Sequence, residues 1–117
     1  MLMRAIVIAM TCLLGSGLAL AHSKMAKSIP AEGATTKAGL TEITLGFSKP
    51  VRLMLVKVRN AAAKSEVEAK FKPAAKFGTS YPFTVSPLTS GLHEVNWTAV
   101  AQDGHVMKGT LSFKVAD

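Results

Sequence analysis

Apolar and polar side chains alternate along most of the chain from residue 40 onward. From Leu40 to Ser48, Ile43, Leu45 and Phe47 share one face and Glu42, Thr44 and Ser48 the other. That period of two marks a half-buried strand, which Pro50 is expected to end. Val51 to Val58 is apolar and rich in β-branched residues, with Met54, Val56 and Val58 on one side and Lys57 and Arg59 opposite. Ser65 to Phe71 sets Val67, Ala69 and Phe71 against Glu66, Glu68 and Lys70. Tyr81, Phe83 and Val85 form a short strand closed by Pro87. Gly91 opens the next, where His93, Val95, Trp97 and Ala99 share a face, and Leu111, Phe113 and Val115 alternate in the last. His22 to Ser28 reads as an opening strand stopped by Pro30 and the turn-like Ala31-Glu32-Gly33-Ala34. Asn60 to Lys64 and Lys72 to Ser80 read as connections. Seven short strands without a convincing helix predict an all-β fold, a seven-stranded Greek-key (immunoglobulin-like) β-sandwich of two antiparallel sheets.

The first 21 residues carry a different pattern. Met1 to Arg4 is a short basic start, Ala5 to Leu20 is an apolar run, and Ala19-x-Ala21 is the small-residue pattern of a secretory cleavage site. Residues 1–21 are therefore expected to be a signal peptide and residues 22–117 the folded domain, exported to the periplasm. Cutting after Ala21 makes His22 the new N-terminus. Its α-amine and imidazole Nδ1 can then close a chelate ring on one metal ion.

Charge and cysteine usage narrow the chemistry. The chain has 14 Lys and Arg against 7 Asp and Glu, a net charge of +7. Such a balance often points to nucleic acid, but export argues against that partner and the lysines are scattered. The one cysteine, Cys12, lies in the apolar run and leaves with the signal. Met10-Thr11 before it lacks the small residue that a lipidation site wants. The mature domain thus has neither disulfide nor thiol ligand. It is expected to be soluble and monomeric, held by an ordinary hydrophobic core.

Three histidines remain after cleavage: His22, His93 and His105. Asp103-Gly104 between alternating strands is first of all a hairpin signal. Asp103 and His105, on either side of the glycine, also point the same way, and a tight turn is a rigid place to hold ligands. If the first and last segments of the sandwich lie together, His22 meets this turn. The set would be the His22 amine and Nδ1, an imidazole nitrogen of His105 and a carboxylate of Asp103. Three nitrogens and one oxygen suit Cu(II) by ligand type and by the Irving–Williams order. Zinc, the main competitor, prefers tetrahedral sites and commonly thiolates in structural roles. His93 alternates with Val95 and Trp97, which makes it a histidine at the end of the core.

These residues resemble the CopC-like periplasmic copper-resistance proteins across essentially the whole mature chain. The resemblance rests on His22, on Pro30-Ala31-x-Gly33, on the block Trp97 to His105, and on Gly109-x-x-Ser112-Phe113-x-Val115. It implies a seven-stranded sandwich holding one Cu(II) ion through His22, Asp103 and His105. It also implies sequestration or delivery of copper without catalysis, with an inner-membrane transporter of the CopD type as recipient. The chain departs from members that carry a methionine-rich loop for Cu(I). Its mature methionines are only Met25, Met54 and Met107, each with a packing role. Val106 stands where proline is common in the family, and His93 where an aromatic residue is.

Two other classes are kept in view. One is a small copper-dependent oxidoreductase with a histidine-brace site, which would need a larger aromatic substrate surface than one Trp and one Tyr provide. The other is a metal-free β-sandwich interaction module, in which Asp103-Gly104 is only a turn.

Overall fold

The structure is a computed structural model that describes residues 25–117. The expected signal peptide and His22 lie outside the described residues. The fold is all-β, with eight strands: β1 (Met25–Ile29), β2 (Thr35–Lys37), β3 (Glu42–Asn60), β4 (Ser65–Val67), β5 (Ala69–Lys70), β6 (Gly78–Val85), β7 (Gly91–Ala101) and β8 (Val106–Ala116). Their hydrogen-bonded order is β2-β8-β7-β3-β6-β5, with β1 and β4 also paired to β3. All pairs are antiparallel except β2 with β8, which is parallel. The expected all-β sandwich is present; its strands number eight rather than seven, in one curled sheet folded over its own core with one parallel pair.

β3 makes that curl, and it corrects the sequence-based boundary at Pro50. Its first half, Glu42 to Gly46, pairs with β6, and Thr44 to Phe47 pairs with β1. Its second half, Val51 to Asn60, pairs with β7. Pro50 sits at the bend, where the β6 register jumps from Gly46 to Val51. No ladder bond is needed there, so the missing proline N–H costs nothing and the strand runs on.

A second irregularity corrects the face assignment. The pairing of β3 with β7 shifts between Leu53 and Leu55. The extra residue flips the alternation, as a bulge does. Val51 and Leu53 are fully buried before it, and Val56 and Val58 are buried after it, while Met54 is only half-buried. The expected single strand from Ser65 to Phe71 also divides. β4 pairs with β3 and β5 with β6, so Glu68 lies where the chain changes partner. Its alternation still holds: Val67, Ala69 and Phe71 pack against the core.

That core joins Ile43, Leu45, Phe47, Phe83 and Val85 to Val56, Val58, Val95, Trp97, Leu111 and Phe113. Phe47 meets Trp97 edge-on, with centroids 5.1 Å apart at 82°, the geometry that ring quadrupoles favour. Gly109, opposite Trp97, leaves room for the indole: a Cβ there would lie 2.9 Å from Nε1. The Tyr81 hydroxyl donates to the carbonyl of Val51 across the bend of β3.

Candidate metal centre

The β7–β8 hairpin positions two of the candidate residues, Asp103 and His105. Ala101 N–H donates to the His105 carbonyl (2.8 Å) and Gly104 N–H to the Ala101 carbonyl (2.9 Å), which closes a three-residue loop. Gly104 has φ of +89°, the left-handed conformation that ends this kind of loop and favours glycine. Asp103 secures the turn further: its Oδ1 accepts the His105 backbone N–H at 3.0 Å. Its Oδ2 lies 2.7 Å from Nδ1 of His105.

The two side chains predicted to lie together therefore do so, and both are largely exposed. The carboxylate holds the imidazole through Nδ1 and leaves Nε2 directed away from Asp103. A carboxylate on one ring nitrogen is the arrangement that orients histidine ligands in metal sites. Among the described residues, no group of three or more His, Cys, Asp or Glu could hold a metal. Asp103 and His105 are thus two adjacent candidate donors and do not by themselves make a closed metal site.

β1 leads toward the same end of the fold. It runs antiparallel to β3, with Met25 opposite Phe47. Its N-terminal end consequently points toward the bend of β3, where Val51 pairs with Ala101 at the foot of the hairpin. Sequence alternation could not reveal this convergence, because it depends on how β3 bends. The same sequence offered no sign that a three-residue strand, β2, would flank β8.

The other candidates fall in the core. His93 is fully buried; its Nδ1 lies 3.1 Å from the Gly91 carbonyl, and its ring stacks on Phe113 at 5.7 Å. Its Nε2 has no hydrogen-bond partner among the described residues. A buried polar atom without a partner costs stability, and an apolar ring of similar shape removes that cost. His93→Phe is expected to raise unfolding stability by about 1 kcal/mol in urea titration with unchanged copper binding. A fall in stability would show that the Gly91 contact matters more than the orphaned nitrogen. Met107 is also buried, and Met25 packs against the core, so both serve packing as expected.

Comparison with known proteins matches the geometry to a family. Residues 25–116 match the model of the CopC domain. The chain is 36% identical over 111 residues to copper resistance protein C of Pseudomonas syringae pv. tomato, covering 88% of this chain and 87% of that one. It is 31% identical to copper resistance protein C of Xanthomonas campestris pv. juglandis, covering 87% and 86%. Among solved structures it resembles CopC from Methylosinus trichosporium OB3b in fold (TM-score 0.65, 20% identity, 80% of this chain and 93% of that one). It also resembles PcoC, described as a methionine-rich copper resistance protein from Escherichia coli (TM-score 0.62, 26% identity, 81% and 99%). With its fold and nearly all of residues 25–117 accounted for in this way, the chain belongs to the CopC family of copper-resistance proteins.

Proposed function

We propose that the mature protein begins at His22, resides in the periplasm, and captures one Cu(II) ion per chain for sequestration or delivery. The ligands are the α-amine and Nδ1 of His22, an imidazole nitrogen of His105 and a carboxylate oxygen of Asp103. The observation that carries this reading is the Asp103–His105 pair, held at 2.7 Å on a closed hairpin, at the end of the fold toward which β1 points. Three residues separate Met25 from the proposed cleavage site, a span of about 10 Å when extended. An amine, two imidazoles and a carboxylate are a donor set for Cu(II), and their small number suits capture and release rather than turnover. The recipient proposed for delivery is an inner-membrane copper transporter of the CopD type.

EPR of protein starting at His22, with one equivalent of Cu(II), tests the site. An axial spectrum with nitrogen hyperfine structure is expected. Adding a methionine before His22 is expected to move the amine away from the chelate and remove that spectrum. Identical spectra from both forms would eliminate the His22 chelate.

Protons compete for the same atoms. The amine and both imidazoles must be unprotonated to bind, so affinity is expected to fall steadily as the solution is made more acidic. Competition titrations against a chelator of known proton affinity would measure the slope. A flat profile would exclude these three nitrogens as a set.

A further inference from the structure

The outer face of β3, β7 and β8 divides sharply by charge. At its far end Arg59 stands opposite Glu66 on β4 and Glu94 on β7. Nearer the hairpin the acids disappear. Lys57 is registered with Asn96 and then Thr110, and Leu55 with Thr98 and then Lys108. Arg52 follows, in line with Val100 and Val106. Neither Lys57 nor Lys108 makes an ion pair among the described residues. Between the cations lie exposed apolar side chains, Leu55 at 47% and Val106 at 63%. A shallow groove of about 310 Å³ runs between Leu55 and Lys57 on one side and Lys108 and Thr110 on the other.

The same face ends in an open strand edge. β2 covers β8 only from Lys114 to Ala116. Glu32 and Gly33 extend that cover to the N–H and carbonyl of Ser112. The even-numbered residues of β8 direct their backbone groups to this edge, since odd-numbered His105 is bonded back to Ala101. Lys108 and Thr110 consequently present unpaired N–H and carbonyl groups, among the described residues, within a few positions of His105.

We propose that this edge receives an extended, acidic segment of a partner protein, which adds as a strand beside β8, lays its carboxylates against Lys108 and is drawn there by the longer-range field of Lys57 on β3. The inference rests on reading the adjacent hairpin as the copper site, and it places the recipient of the copper next to His105. Backbone pairing supplies the affinity of such strand addition and the side chains supply its selectivity. Lysine on an open edge discourages indiscriminate pairing. It selects for a strand of opposite charge and against a second copy of this equally basic edge.

The probe is a capped octapeptide alternating glutamate and valine, titrated into isotopically labelled metal-free protein starting at His22 and followed by NMR. The expected result is shifted resonances and slowed amide exchange at Lys108 and Thr110. A peptide with lysine in place of glutamate should leave both unchanged. Lys57→Glu with Lys108→Glu is expected to weaken peptide binding about tenfold or more. The Cu(II) EPR spectrum of that variant should match the parent, and Lys57→Gln with Lys108→Gln should give an intermediate loss. No perturbation along β8, or equal perturbation by both peptides, would overturn the proposal. So would retention on vesicles of equal phosphatidylglycerol and phosphatidylcholine without peptide binding, which would assign the basic face to an anionic membrane. A parent that binds the peptide but gives no copper spectrum would overturn the copper site and leave the strand addition standing.

Discussion

His105→Ala is expected to lower Cu(II) affinity by more than about 100-fold, because loss of an orienting neighbour alone costs 10- to 100-fold in metal sites. The imidazole is proposed to supply one of three nitrogens, and no other described histidine can take its place. His93 is buried at the opposite end of β7 and stacked on Phe113. The fold should be indifferent to the change, since the His105 ring is largely exposed and the hairpin is closed by backbone bonds. Asp103→Asn is the informative companion. An amide oxygen still accepts the His105 N–H, but the negative charge beside Nδ1 is gone, so a loss of about tenfold is expected. Chelator competition would rank the variants, and thermal unfolding would confirm an unchanged fold. Parental affinity in His105→Ala would move the copper site away from this hairpin.

The second large effect is on stability, at a residue with no chemistry of its own. Gly46 lies where β1 crosses β3, and a Cβ added there would collide with the backbone carbonyl oxygen of Lys27. Backbone cannot rotate away as a side chain can, so Gly46→Ala must push β1 off the sheet. Overpacking of this kind costs typically 1–3 kcal/mol, and an upper value of about 3 kcal/mol is expected. The consequence reaches the metal centre. β1 aims the N-terminal segment at the hairpin, so its displacement should weaken copper binding even though no ligand changes. Urea unfolding and copper titration on the same variant would test both parts. Full stability would mean that β1 can shift along Gly46 without cost, and a weakened fold with intact copper affinity would separate β1 from the site.

Legibility in the sequence followed the range of the interactions. Parts of β3, β6, β7 and β8 were readable, β6 only from Tyr81 and not from Gly78, because alternation reports which side chains face the core, and each segment does so by itself. The Asp103-Gly104 turn was equally local: a carboxylate that accepts a backbone N–H two residues on, followed by a glycine at positive φ. The pairing of Asp103 with His105 came with it, since the turn alone brings the two side chains together.

Pro50 and Met54 show where local reading stops. A proline ends a strand only if its N–H is needed, and the need is set by the neighbouring strands at the bend of β3. Met54 has the right spacing for the core, but the bulge between Leu53 and Leu55 shifts the phase before Val56. The sequence by itself determined an all-β chain, its main strands, a rigid turn carrying a carboxylate and an imidazole, and the relatives that share these residues. Only the tertiary structure decided that β3 runs through Pro50, that β1 lies antiparallel to it with its N-terminal end toward the hairpin, and that β8 keeps an edge there that is open among the described residues. Each of those depends on which strands become neighbours, and hydrogen bonds between distant segments leave no periodic trace in either one.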